Sequence, residues 1–263
     1  MIRRIAVHGA AGRMGRRVIA LAAEAPAEFA VTAALEAPGH QRLGEDAGLL
    51  AGVGRLGVPL SAQLLGEADV LIDFSLPEAT ERLLDVCRAA KIPLVSGTTG
   101  LNDAQTAKFR AAAEEIPVLW AANMSVAVNL ALKLAEKAAV ALKERDADVE
   151  IIERHHRFKQ DAPSGTALHF GRLIAGVLGG MVQRHGREGL CGPRPRNEIG
   201  FHAVRAGDNA GEHTVLFGML GESLELTVRV ANRDSYAAGA LAAAKFLAGK
   251  PPGWYDMNHV LGL

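Results

Sequence analysis

A chain of 263 residues, 49% of them apolar, has enough apolar material for one large core or two modest ones. Its 29 Lys and Arg residues match its 29 Asp and Glu residues, and the zero net charge excludes a protein that gathers nucleic acid or an anionic membrane through its overall field. Cys87 and Cys191 are too few and too far apart for a disulfide framework or a zinc site, and a reducing cytoplasm is expected. Met1 leads almost at once into Ile5-Ala6-Val7, so no signal peptide is expected, and no apolar run is long enough for a membrane span.

In chain order, Ile2 to Val7, Phe29 to Leu35, Val70 to Asp73, Leu94 to Ser96 and Val118 to Ala121 read as buried strands. Helical patterns at Met14 to Glu24, Pro77 to Ala90 and Asp103 to Glu115 lie between them, with Pro77 at a helix start and Asn102 as a cap. This alternation predicts crossover units on a parallel sheet, an α/β architecture. Glu36 to Pro59 is rich in glycine and without a period, and is expected to be a long loop with one short helix.

A helix at Val126 to Lys143 then leads into a region of different character. Val149 to Ile152 is strand-like, Thr166 to Leu178 helical, and a Gly, Pro and Arg-rich stretch through Pro195 reads as loop. Hairpin-like runs follow at Phe201 to Arg205, His213 to Phe217 and Glu222 to Val230. In the last run Leu224, Leu226, Val228 and Val230 alternate with Glu225, Thr227 and Arg229, which predicts one buried and one polar face. This half is α+β with mixed or antiparallel strands. The alanine-rich helix Tyr236 to Leu247 fits either half by its pattern.

The first strand is followed directly by Gly9-Ala10-Ala11-Gly12-Arg13-Met14-Gly15. Glycines at a helix start permit the tight turn and the backbone approach that a pyrophosphate requires, and its charge meets the N–H groups at the helix end. The spacing is G-x-x-G-x-x-G, not the usual G-x-G-x-x-G, so the motif alone also suits a turn that only packs helix on strand. Context favours a dinucleotide: Glu36 closes the second strand, where a carboxylate accepts from ribose hydroxyls. Two later strands end in Gly97-Thr98-Thr99 and Ala121-Ala122-Asn123-Met124, where a nicotinamide half belongs, although each also suits an ordinary capped turn.

The densest polar cluster runs from Glu153 through His155-His156-Arg157 and Lys159 to Asp161-Ala162-Pro163-Ser164-Gly165-Thr166. Two His, two Arg (Arg154 and Arg157) and a Lys precede a Ser-Gly-Thr helix start, a set that suits a carboxylate-bearing substrate: cations neutralise it, the helix end binds it, and an imidazole or ammonium delivers a proton. Adjacent His residues in an extended segment point to opposite sides and should have separate roles. No further ligands with metal spacing lie nearby, so no metal is expected; a solvated loop is the bland alternative.

Together these motifs, with Asp73-Phe74-Ser75, Ser125 after Met124, and Arg205-Ala206-Gly207-Asp208 through Gly211-Glu212-His213, resemble the 4-hydroxy-tetrahydrodipicolinate reductase family, also called dihydrodipicolinate reductase. The resemblance runs nearly end to end, and the His-His-Arg-x-Lys-x-Asp-Ala-Pro-Ser-Gly-Thr run is its most specific part. It implies a dinucleotide-binding domain over 1–125, completed by 235–263, and a substrate-binding and oligomerisation domain over 126–234 with a mixed sheet, assembled as a homotetramer. It also implies NAD(P)H-dependent reduction of a small cyclic dicarboxylate in diaminopimelate and lysine biosynthesis.

By the same resemblance His155 is the proton donor and acceptor, Lys159 is a second donor, and His156, Ser164, Gly165 and Thr166 hold the substrate. Gly9, Ala10, Ala11, Gly12, Arg13, Met14, Glu36, Gly97, Thr98, Thr99, Ala121, Ala122, Asn123 and Met124 contact the cofactor. This chain departs from the family pattern in having Met124 for Phe, and Ala37 for the Arg that follows the acidic residue. The second change removes the cation nearest the NADPH 2'-phosphate, so NADH is expected to serve at least as well, unless His40 or Arg42 swings in. Rival readings are an NAD(H)-binding sensor without catalysis, which would need the glycine loop but not the His155-to-Lys159 cluster, and a two-domain dehydrogenase acting on homoserine or an aspartate semialdehyde, which lacks a counterpart for the Asp-Ala-Pro-Ser-Gly-Thr run.

Overall fold

The computed structural model describes residues 1–263, which divide into two compact units, Met1–Val126 with Arg233–Leu263, and Ala127–Asn232. In chain order the elements are β1 (Arg3–His8), α1 (Arg13–Glu24), β2 (Phe29–Leu35), α2 (Ala47–Ala51), β3 (Leu60–Ser61), β4 (Val70–Asp73), α3 (Pro77–Ala90), β5 (Leu94–Ser96), α4 (Asp103–Ala113) and β6 (Pro117–Trp120). They continue with α5 (Val126–Leu142), β7 (Asp148–His155), α6 (Gly165–Leu178), β8 (Val182–His185), β9 (Glu198–Arg205), β10 (Glu212–Met219), β11 (Glu222–Arg229), α7 (Asp234–Leu247), β12 (Gly253–Tyr255) and α8 (Met257–Leu261).

The first unit is a seven-stranded sheet in the order β12-β6-β5-β4-β1-β2-β3, with every pair parallel. Its strands read as unbroken apolar runs because both faces are covered. Ile5, Val7, Val70, Ile72, Val95 and Leu119 face one core, shared with Val18 and Ile19 of α1 and the alanines of α7. Ala6, Leu71, Leu94 and Val118 face the other, against Leu83, Leu84 and Phe109 of α3 and α4.

Alpha-helix α7, whose pattern left its home open, packs on α1 and on β4, β5 and β6. Its small residues permit that closeness: Ala237, Ala240, Ala243 and Ala244 are fully buried, and a Cβ on Gly239 would come within 1.7 Å of the Met124 carbonyl oxygen. The 36–59 stretch is, as expected, a long loop carrying one short helix, α2. Asp46 caps α2 and takes backbone N–H groups from Gly48, Leu49, Leu56 and Gly57, so one carboxylate folds both ends of that segment together.

The second unit is a mixed five-stranded sheet, β11-β10-β7-β9-β8. Three expectations need correction here. The runs now seen as β9 and β10 are not hairpin partners: β7 lies between them, parallel to β9 and antiparallel to β10, and only β10 and β11 form a hairpin. The stretch before Pro195 contains β8, an edge strand whose residues are all exposed and therefore carry no apolar alternation. In β11 the alternation assigns the faces correctly, but Val228 is buried whereas Leu224 stays 39% exposed, because β11 is the outermost strand. Strands β3 and β12 and helix α8 are too short to show a period.

Arg187 and Arg194 tie the loop between β8 and β9 to the sheet by bonding Glu150; Arg187 also bonds Glu198. No helix is long and apolar enough to cross a membrane.

Candidate active site

In the first unit the strand ends build a cradle. Gly9 has φ +72°, and a Cβ there would lie 2.5 Å from the Phe74 carbonyl oxygen. A Cβ on Gly12 would meet the Gly9 carbonyl oxygen at 3.0 Å, and one on Gly15 would meet it at 2.2 Å. Gly9 thus admits the Phe74 carbonyl while Gly12 and Gly15 both make room for the Gly9 carbonyl, and Gly12, at the N-cap of α1, offers no side-chain cap to the helix end. The helix N-terminus is left open to an anion.

Glu36 at the end of β2 is held by its neighbours: the Ala11 N–H donates to one carboxylate oxygen at 3.0 Å and the Ala37 N–H to the other at 3.0 Å. Met14, Phe74, Gly97, Ala121, Ala122, Asn123 and Met124 line a cavity of about 250 Å³ together with Arg233 and Tyr236. The last two come from the C-terminal segment, and no motif in the sequence marks them. Gly97 makes room for the Phe74 ring, which a Cβ would strike at 2.2 Å.

Thr98 behaves differently from its neighbours. Its hydroxyl turns inward and donates to the fully buried Asp73, its N–H donates to Ser96 Oγ and its carbonyl accepts from Trp120 Nε1, so the buried Thr98 supports the cradle from beneath. Asp73 also receives His8 Nδ1 at 2.7 Å, Ser75 Oγ at 2.7 Å, Thr80 Oγ1 at 2.7 Å and Ser96 Oγ at 2.9 Å. Burial alone would raise the Asp73 pKa, but the bonds from His8 and the hydroxyls outweigh it and hold the carboxyl below its usual range. This one carboxylate ties together the loops after β1, β4 and β5.

In the second unit the strand register gathers the polar cluster. On β7 the residues Val149, Ile151, Glu153 and His155 share one face, apolar in its lower half and charged at its end. Beta-strand β9 sets Arg205 opposite His155, and β10 sets His213 opposite Glu153. Helix α6 packs across this face and begins beside it, capped by Ser164, whose Oγ accepts the Ala167 N–H at 3.2 Å.

Glu153, 1% exposed, is saturated with donors. Arg205 spans both its oxygens at 2.7 Å each, the Ser164 N–H donates at 3.0 Å, and His155 Nδ1–H donates at 2.5 Å. Burial pushes Glu153 up, yet Arg205 and His155 more than offset this and keep it ionised. For His155 burial is the largest influence and lowers its pKa, with Glu153 opposing and the Lys159 and Arg205 charges assisting. A Cβ on Gly211 would sit 3.1 Å from His155 Nε2, so that glycine keeps the outer nitrogen clear.

The remaining substrate-set residues lie nearby in the chain. Lys159 Nζ pairs with Asp161 at 2.8 Å, His156 keeps a buried Nδ1 without a partner, and Gly165 opens the first turn of α6 ahead of Thr166. Arg154 does not join them: it points to the opposite sheet face, where it pairs with Glu212, because alternate strand residues face opposite ways. Arg157 is exposed. Arg205 and His213, the two ends of a motif that the sequence marks without a role, take their place, brought in by strand pairing.

Comparisons with known proteins agree over the whole length. The family model described as "Dihydrodipicolinate reductase, N-terminus" matches residues 3–124, and that described as "Dihydrodipicolinate reductase, C-terminus" matches residues 127–261. The chain belongs to the dihydrodipicolinate reductase family. A relative in Alkalilimnicola ehrlichii, named 4-hydroxy-tetrahydrodipicolinate reductase, is 54% identical over 100% of both chains. One of the same name in Rhodopirellula baltica is 53% identical, covering 98% of this chain and 96% of its own. Among solved structures, a dipicolinate-bound dihydrodipicolinate reductase from Paenisporosarcina sp. TG-14 superposes with a TM-score of 0.78 at 26% identity, covering 98% of this chain and 99% of its own. An amine dehydrogenase from Mycobacterium smegmatis, at 13% identity and a TM-score of 0.65, shares the fold.

The saturated Glu153 generates a stability prediction. Glu153→Ala takes the carboxylate from the Arg205 guanidinium, which keeps only the Val204 and Asp161 carbonyls, and should cost roughly 3 kcal/mol. Denaturant unfolding with a loss below 1 kcal/mol would show that water replaces the carboxylate cheaply.

Proposed function

We propose that this chain is an NAD(P)H-dependent oxidoreductase that reduces 4-hydroxy-tetrahydrodipicolinate, with loss of water, to tetrahydrodipicolinate in diaminopimelate and lysine biosynthesis. The observation that carries the reading is an imidazole, His155, oriented by Glu153, itself held by Arg205, beside the Ser164-capped N-terminus of α6. Such a pairing supplies an acid and an anion site in one place.

The first unit fits a nicotinamide dinucleotide on its own steric evidence, since Gly9, Gly12 and Gly15 each border backbone that a side chain would strike. Within this reading Gly9 to Met14 meet the pyrophosphate and Glu36 the ribose hydroxyls. Gly97 to Thr99 and Ala121 to Met124 form the nicotinamide side, with Thr98 supporting it from beneath through its bond to Asp73. Met124, 1% exposed, supports that side from within the core. When bound, the cofactor supplies a hydride.

Hydride addition to the unsaturated ring leaves an electron pair that a proton must meet. His155 fits that task because Glu153 accepts from Nδ1–H, which fixes the ring and leaves Nε2 toward the gap at Gly211. Lys159, steadied by Asp161, is the second donor. His156, Ser164, Gly165 and Thr166 hold the carboxylates, where backbone N–H groups at a helix start offset their charge.

The same reading makes the enzyme a cytoplasmic homotetramer. Its two free thiols fit a reducing compartment, and the unpaired edge of β11 with half-exposed Leu224 fits a surface that another copy covers. Light scattering at micromolar concentration should return four chains; the mass of one chain overturns this part.

The direct test is a coupled assay with the preceding synthase, followed at 340 nm with each cofactor. Turnover separates an enzyme from an NAD(H)-binding sensor, and its absence with both cofactors sinks the reading. NADH should be used at least as efficiently as NADPH. Ala37 offers no cation, the Arg42 guanidinium lies 3.9 Å from Glu45, and His40 Nδ1 accepts the Arg42 N–H, so both side chains have partners within the loop. Ala37→Arg should raise the NADPH to NADH ratio of kcat/KM at low ionic strength. A wild-type preference for NADPH that disappears in Arg42→Ala would show that Arg42 leaves Glu45 for the phosphate.

His155→Gln should lower kcat by roughly 10² to 10⁴-fold. The sign of the pH dependence follows from the depressed imidazole pKa: a general acid must carry its proton, and that proton is lost as pH rises through the lowered value. Wild-type kcat/KM should therefore fall with rising pH from a midpoint below the ordinary imidazole range, and the limb should vanish in His155→Gln. An unchanged limb in that variant assigns the acid to Lys159 or water.

A further inference from the structure

Beside the proton donor lies a second imidazole that the reading above does not use. His213 is 5% exposed, stands edge-on to His155 with ring centroids 5.2 Å apart, and has the Phe170 ring 6.2 Å away on the α6 side. Its Nε2 is 2.9 Å from Ser164 Oγ, while its Nδ1 is enclosed and has no partner. Burial, helped by the His155 charge, pushes its pKa down to about 4, so at neutral pH it carries one proton.

Where that proton sits decides what Ser164 can do. Nδ1 is enclosed without a partner in either tautomer, and an orphaned N–H is tolerated less well than an orphaned lone pair, which favours the bare Nδ1. The Nε2–H then donates to Ser164 Oγ. That oxygen already accepts the Ala167 N–H at 3.2 Å, so both its acceptor positions are then filled. The hydroxyl's own hydrogen is the one group left, at the helix start where Gly165 is exposed.

We propose that His213 is a positioning residue: as the Nε2–H tautomer it donates to Ser164 Oγ and thereby commits the Ser164 hydroxyl to donate outward to a substrate carboxylate. The role rests on the carboxylate site proposed above and deepens it, since a serine otherwise free to accept or donate becomes a one-way donor. An anion gains from a donor and loses from an exposed lone pair, so fixing the hydroxyl selects carboxylates over neutral or cationic groups at this position.

The tautomer is testable without a variant. Imidazole ¹⁵N shifts of the wild-type protein should show His213 Nε2 as the protonated, pyrrole-type nitrogen and Nδ1 as the bare, pyridine-type one. The reverse assignment overturns the proposal. The functional arm uses pyridine-2,6-dicarboxylate as a competitive probe with the complete enzyme. His213→Phe should weaken its inhibition, and raise KM, by about tenfold, as expected for one hydrogen bond to a charged group, with a smaller effect on kcat and none on NADH affinity.

His213→Gln keeps an N–H near Nε2 and should recover most of that loss. Because His213 acts through Ser164, the double variant His213→Phe/Ser164→Ala should bind the probe no worse than Ser164→Ala alone. Fully additive losses overturn the role of His213 while leaving the carboxylate site standing. A wild-type enzyme that neither turns over nor binds the probe overturns the site itself, and this proposal with it.

Discussion

The second unit is organised around one ionised carboxylate that has no contact with water to spare. Glu153 receives its four hydrogen bonds from three elements: His155 on its own strand, Arg205 from β9 and the Ser164 N–H at the start of α6. A buried charge of this kind is tolerated only with full pairing, so the requirement to satisfy it fixes strand register, helix position and imidazole orientation together. The chemistry assigned to His155 follows from that constraint.

The first unit solves a similar problem in a similar way. Asp73 is fully buried and accepts from His8, Ser75, Thr80, Ser96 and Thr98. Its ligands come from the turns that also present Gly9, Phe74 and Gly97, so the cavity edge is set by polar bonds underneath while the helices are held by apolar packing. Loops that bind ligands are ordinarily the mobile parts of a fold. Here a shared acceptor ties them to the sheet.

Much of this was legible in the linear pattern, for identifiable reasons. The parallel sheet declared itself because strands covered on both faces are continuously apolar and helices between them carry Pro77 and the Asn102 capping box. The glycine turn and the His155 run are contiguous, so their residues could be named before any fold was known. What failed to show depends on contacts across the sheet. Arg205 and His213 lie far from Glu153 in sequence and reach it through the register of β9 and β10, while Arg154, next to it in sequence, faces away. The run at Phe201 looked like half of a hairpin because nothing in it records that β7 comes between it and β10. Strand β8 was missed because an edge with every residue exposed has no reason to alternate.

The discontinuity of the first unit has a consequence for how the chain is made. Residues 1–126 emerge from the ribosome with one face of their sheet covered by α1 alone, since Ala237, Ala240, Ala243, Ala244 and Leu247 of α7, which complete the cover, are synthesised only after the second unit. The second unit is continuous and complete before α7 appears. The nascent chain must therefore keep Val7, Ile72 and Val95 from other partners while more than a hundred residues are added. A fold that closes with a segment made after the second unit ties the competence of its N-terminal half to that later synthesis.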